Sequence, residues 1–293
     1  MREEWVGIGS DGLRAAIRPL GAELWSLQDA EGRELMTDAD PRWWTGHAPL
    51  LFPFVGRSRG DVYRWEGRDY PMPQHGFARH RTFALIERAE HSAIFRLEAD
   101  AETRAAYPFD FRLDMAFVIE GEALQMTATV TNRGEADMPF SFGYHPAFAW
   151  PLPYGGTAEE HRVVFEKREP APVRKVGDEP GLIARESVGS PVKGDTLAPT
   201  YAMFEGDALI WDRLESRSLI WGVPGHRRLK IGFPDTPWLG LWQKPGAHYL
   251  CVEPWAGMAD LVGFTGDVWE KQGIMRLAPG AARAFRMDVA LVD

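Results

Sequence analysis

Two histidines and one glutamate stand where they could move protons. His75, in PMPQHGFARH, and His145, in SFGYHPAFAW, lie in stretches where glycine and proline shape the backbone and phenylalanines limit solvent. An imidazole so placed is either a core side chain satisfied by a carbonyl or a general acid or base tuned by its neighbours. Glu253, in HYLCVEPWAGMAD, ends an apolar strand just before Pro254 and Trp255, and alternation puts it on the face of Cys251, with Val252 pointing away. A carboxylate there should be buried, as half of a salt bridge to an arginine or as an acid–base group at a sheet rim. Cys251 reads as a packed core thiol, because nothing in the sequence marks a partner that would lower its pKa. His91, His161, His226 and His248 sit among polar or turn residues and should face water.

Other chemistries fit less well. His75 and His80 are five apart, on opposite faces of a strand, and neither H-x-H nor H-E-x-x-H occurs, so no metal site is expected. GIGSDG at 7–12 has the letters of a dinucleotide fingerprint, but Pro19 and Gly21 interrupt the helix that must follow, and Asp11-Gly12 reads as a hairpin turn. GRSRG at 56–60 has the letters of a nucleophile elbow. An elbow opens a helix, whereas DVYRWEGRDY is strand-like and contains a turn, which argues against a serine hydrolase at Ser58.

The elements that would position these groups are strands. Period-2 alternation runs through residues 93–99, 111–119, 124–132 and 284–292, and Asp11-Gly12, Glu31-Gly32, Glu66-Gly67 and Glu120-Gly121 punctuate as hairpin turns. No apolar helical period persists for three turns, so the spacing predicts an all-β fold, a large antiparallel β-sandwich, rather than βαβ units. Residues 170–200, rich in proline, glycine and charge, read as long loops, and the chain as one domain, 1–293. Twelve tryptophans and sixteen phenylalanines suit a large core or a cleft that stacks on rings. A net charge of −9 without a long basic block excludes a nucleic-acid partner, and no apolar run is long enough for a membrane span. A single cysteine and the lack of a secretory leader point to the cytoplasm.

In their order, LLFPFVGRSRGDVY, PMPQHGFARHRTF, FSFGYHPAFAWPLP and DTPWLGLWQKPGAHYLCVEPW resemble the aldose 1-epimerase (mutarotase) family, in particular its bacterial hexose mutarotase-like branch. The resemblance spans most of the chain. It implies a galactose mutarotase-like sandwich and cofactor-free interconversion of α and β anomers of an aldose, a hexose or hexose phosphate, by a monomer or homodimer. Glu253 would be the base at the anomeric hydroxyl, His145 the acid at the ring oxygen, and His75 a substrate-holding group. Gln74 and Arg79 would also touch the sugar, as would an aspartate, either Asp207 or Asp212. Galactose mutarotases proper carry G-R-x-x-N-R where this chain has GRSRGD, so Asp61 replaces their substrate arginine, and Arg57 or Arg59 is the candidate substitute. The alternative is a carbohydrate-binding or sugar-sensing protein that kept the cleft without turnover. For the enzyme, Glu253 and His145 should face one cleft about 5–8 Å apart.

Overall fold

Alternating burial builds the long strands of this protein, whose computed structural model describes residues 5–293. Phe111–Glu120, Ala123–Asn132 and Ala282–Val292 bury every second side chain over most of their length. Slipping any of them by one residue would turn its apolar face to water, so the pattern sets register as well as strand. The three lie side by side in a nine-stranded antiparallel sheet. Arg228–Gly232, Ser218–Gly222, Arg162–Phe165 and Thr196–Leu197 extend it on one side, and Ser92–Glu98 and Ala84–Arg88 on the other.

A second, eight-stranded sheet packs against the first. Its order is Ile183–Val188, Val173–Val176, Leu209–Trp211, Trp238–Trp242, Tyr249–Ala256, Phe142–Tyr144 and Leu50–Leu51, with Ala147–Ala149 also paired to Tyr249–Ala256. Here alternation gives way to continuous burial, and Tyr249–Ala256 is buried at all eight positions. Both faces are covered. Leu209, Trp211, Leu239, Leu241, Leu250 and Val252 join the main core, whose contacts run from Val6 to Leu291. The alternate residues, among them Ile210, Trp242, Tyr249, Cys251 and Trp255, form two smaller apolar clusters on the outer face. That outer face carries the site.

All four hairpin dipeptides sit at turns, and Glu66 and Gly67 both adopt positive φ, 49° and 76°, as a two-residue turn requires. Four local expectations need correction. Residues 170–200 hold three short strands, Val173–Val176, Ile183–Val188 and Thr196–Leu197, where a sheet edge leaves too few buried positions for alternation to show. Among the described residues there is one α-helix, Ala101–Ala106, nucleated by an Asp100 cap that accepts from the Thr103 N–H; six residues cannot display three turns of period. The strand bearing Glu253 does not stop at Pro254 but continues to Ala256. His161 is buried, its Nδ1 bonded to the Thr157 carbonyl at 2.8 Å and its Nε2 accepting from Leu152 N–H at 2.9 Å.

GIGSDG falls in a hairpin between Val6–Gly9 and Leu13–Arg18. GRSRG leads into one 3-10 turn, Arg59–Asp61, and then a strand; Ser58 is buried, and among the described residues its hydroxyl has no hydrogen-bond partner, so no described base stands against it. Among the described residues no helix is long and apolar enough to cross a membrane.

Candidate active site

Cross-strand register brings His145 to Glu253. Gly143 pairs with Trp255 and Ala147 with Cys251, so the residues midway between, His145 and Glu253, stand opposite each other. The ladder opens there, between Tyr144 and Ala147, which is where Pro254 can sit without a missing donor disrupting a bond. His145 Nε2 lies 3.2 Å from Glu253 Oε2, both side chains almost wholly buried. On the other side Glu253 pairs with Gly240, whose missing side chain leaves room for the Trp255 ring; a Cβ at 240 would come within 2.7 Å of it. The two groups are therefore in contact rather than a pyranose width apart. The wider expectation treated acid and base as flanking the ring, whereas the oxygens that exchange protons in an anomer are both bonded to C1.

A cavity of about 220 Å³ opens onto the pair, lined among others by Gln74, His75, Arg79, Asp207, Trp44 and Trp242. That is below the roughly 300–1,000 Å³ of drug-sized sites, the scale of one small ring. His75 is held in the left-handed region at φ 67° by a loop whose next residue, Gly76, packs its Cα against the Phe52 carbonyl. The Gly56 N–H donates to His75 Nδ1 at 3.1 Å, which leaves the ring proton on Nε2; the ring meets that of His145 edge-on, centroids 5.6 Å apart. Arg79 donates to the Gln74 carbonyl at 2.9 Å and to His80 Nε2 at 3.1 Å. Asp207, also in a left-handed conformation, accepts from the Ala208 N–H at 2.7 Å.

Three sequence candidates stand elsewhere. Arg57 is clamped by Asp61 at 2.6 and 2.7 Å and reaches the Pro180 carbonyl, off the cavity wall. Asp212 is bound to Arg174 at 2.5 Å. Arg59 pairs with Glu179 on a neighbouring surface cavity of about 490 Å³, whose other charges, Arg64 with Asp69 and Lys271 with Asp260, are likewise paired. Sequence reasoning missed the aromatic wall and the segment that closes it. Trp44 packs on His145 at 5.0 Å between centroids and edge-on to Trp242, and Val176, Gly181 and Ile183 come from the stretch read as loops. Adjacent tryptophans in a proline- and glycine-flanked segment, PRWWTG, were the available signal.

Burial governs the charges. The aromatic cover drives the His145 pKa down to about 3, and burial raises that of Glu253 well above the carboxylate range, with Asp207 adding to the rise. His75 is also pushed well below 6.5, first by burial and then by His145. Desolvation thus favours a neutral acid beside a neutral imidazole, with one proton held between them.

The comparisons with known proteins decide the family. Residues 6–276 match the family model described as aldose 1-epimerase. The chain belongs to the aldose 1-epimerase family. Among relatives, it is 30% identical over 297 residues to the chromosomal protein LacX of Lactococcus lactis subsp. lactis, covering 98% of this chain and 99% of that one. Among solved structures, a galactose mutarotase related enzyme from Lactobacillus acidophilus superposes with a TM-score of 0.91 at 29% identity, covering 99% of this chain and 98% of its own. A galactose mutarotase-like protein from Lactobacillus casei gives the same TM-score and identity, with 99% and 100% covered. The all-β antiparallel architecture is that of the galactose mutarotase-like fold. Within the aldose 1-epimerase family this chain's GRSRGD segment turns inward on itself, Asp61 capturing Arg57.

Proposed function

We propose that this protein interconverts the α and β anomers of a free aldose by general acid–base catalysis, with Glu253 as base and His145 as acid. The observation that carries this reading is their direct opposition, 3.2 Å apart, on the wall of a single-ring cavity. Ring opening takes a proton from O1 and adds one to the ring oxygen; rotation about C1–C2 and reclosure on the other carbonyl face reverse both transfers. Proton count is conserved, so the pair needs one proton and one lone pair in total. Transfer along the 3.2 Å contact converts carboxylic acid and imidazole into carboxylate and imidazolium without exchange with solvent. With sugar hydroxyls added as polar neighbours, the charged form becomes accessible, Glu253 receiving from O1–H and His145 donating to the ring oxygen.

His75 Nε2–H, Gln74, Arg79 and Asp207 are the groups we assign to sugar hydroxyls, with Arg79 the one able to meet a phosphate. Trp44 and Trp242 offer apolar faces to a sugar ring. A reducing, cytoplasmic setting suits the buried free thiol of Cys251. Polarimetry on freshly dissolved aldoses and their 6-phosphates tests the proposal, with rates above buffer expected for at least one. Wild-type rates equal to buffer on every sugar tried would sink it, and sugar binding unaffected by Glu253→Gln would then mark a carbohydrate-binding protein.

A further inference from the structure

Cys251 has no part in this mechanism, yet it stands against it. The imidazole nitrogen of His145, the sulfur of Cys251 and a Glu253 carboxylate oxygen lie within 4.8 Å of one another. Register again explains the cluster. Cys251 and Glu253 share a face two residues apart, and the paired strand brings His145 to the same face two residues before Ala147, the partner of Cys251. No spacing along the chain announces such a set, because one ligand comes from another strand.

We propose that His145, Cys251 and Glu253 form a site for a thiophilic divalent cation, zinc foremost, at the floor of the cavity, and that its occupation blocks proton transfer. The second half of this statement rests on the mutarotase reading; the first does not. Zinc bonds of about 2.0–2.3 Å to N, S and O ligands place tetrahedral neighbours about 3.3–3.6 Å apart. The imidazole and carboxylate are already at 3.2 Å, and the sulfur, within 4.8 Å in the same cluster, must move inward to join them. Three protein ligands leave a fourth direction, toward the cavity that His145 and Glu253 line. Magnesium and calcium, which demand six or more oxygens, do not fit this donor set.

Charge balances as well. On binding, the thiol and the His145–Glu253 pair each release one proton to solvent, and thiolate plus carboxylate then neutralise the dication. A net-neutral unit suits surroundings built from Ala147, Tyr249, Trp43, Trp44 and Trp242. Resident metal sites hold the far nitrogen of a ligating histidine with a carbonyl or carboxylate, and among the described residues His145 Nδ1 has no such hydrogen bond. The ion is therefore a reversible inhibitor that captures Nε2 and the carboxylate together, not a fixed cofactor.

Cobalt(II) is the probe, added anaerobically to chelator-treated protein. Because Cys251 is the single cysteine in the chain, a thiolate-to-cobalt charge-transfer band in the wild type alone assigns the sulfur ligand. That band, with the intense visible transitions of four-coordinate cobalt and their loss on adding zinc, is the expected result. Cys251→Ala, with Cys251→Ser as a second variant should packing suffer, should abolish the band and weaken zinc by more than the ~10–100-fold cost of losing an outer partner. Mutarotation by Cys251→Ala should persist and become insensitive to zinc, while zinc inhibition of the wild type should reverse with EDTA. Cobalt spectra without a thiolate band, or zinc binding unchanged in Cys251→Ala, would overturn the site. If no aldose is turned over at all, the cobalt spectrum still decides the metal site, and the mutarotase proposal falls separately.

Discussion

At the scale of single residues the proposed mechanism turns on one proton held between His145 and Glu253, 3.2 Å apart. Each well-placed acid or base contributes roughly 10²–10⁴ in rate. Glu253→Gln and His145→Asn should accordingly each lower catalysed mutarotation by at least about 10²-fold while leaving near-UV circular dichroism unchanged; a loss under tenfold in either would remove that residue from the mechanism. The pair also shapes the pH profile. It gains a second proton only near the depressed His145 value, about 3, and loses its single proton only at the raised Glu253 value, so the two titrate as a unit. Buffer-corrected kcat/KM should therefore be flat through pH 6.5, where an ordinary histidine would halve it. An acid limb centred there would show that His145 is solvated in the proposed reaction. Trp44→Ala strips part of the cover from the imidazole, and should bring that limb back toward 6.5 while raising KM.

Strands and turns decide where those residues meet. Outer-face alternation along Trp238–Trp242 runs Trp, Gly, Trp, and the central glycine is what lets Trp255 lie across the strand beside Glu253. Gly240→Ala would set a methyl 2.7 Å from the Trp255 ring and 3.4 Å from the Glu253 Cβ. Overpacking of this kind costs about 1–3 kcal/mol. Urea denaturation should register that loss, and kcat/KM should fall with it as the carboxylate shifts. Gly7→Ala is the control, since no described residue comes within 4 Å of a Cβ there. Equal effects of the two substitutions would mean that the wall yields without cost. Gly76 is stricter still: at φ 72°, with the Phe52 carbonyl oxygen filling the space a methyl would need, alanine would have to displace backbone and carry His75 with it.

Across the whole molecule, what could be read from the sequence followed burial on one face. The strands at 111–119, 124–132 and 284–292 were visible because each buries alternate residues, and the hairpin dipeptides because turns demand particular backbone angles. Strands buried on both faces, such as Tyr249–Ala256, or lying at an edge, such as Ile183–Val188, lack that signature. The candidate site follows the same division: His75, His145 and Glu253 stand out in the sequence as candidate residues, but their mutual distance depends on cross-strand register, and the tryptophan wall on a loop that folds back. Burial of titratable groups also sets how stability should vary with pH. His47, lowered to about 4, and His75 and His161, lowered too, all owe their shift first to burial. Below the ordinary value of 6.5 the unfolded chain binds protons that these rings refuse, so stability falls on acidification, by about 1.4 kcal/mol per pH unit for each proton of difference. The His145–Glu253 pair adds nothing there, because between 4.5 and 6.5 it holds one proton folded and one unfolded. Above 6.5 the unfolded pair holds none while the folded pair keeps its proton, so stability falls with rising pH until Glu253 ionises. Chemical denaturation at pH 5, 6.5 and 8 should place the maximum near the middle value, with His47→Gln flattening the acid limb alone; stability that rises from pH 6.5 to 5 would contradict the neutral state of these histidines.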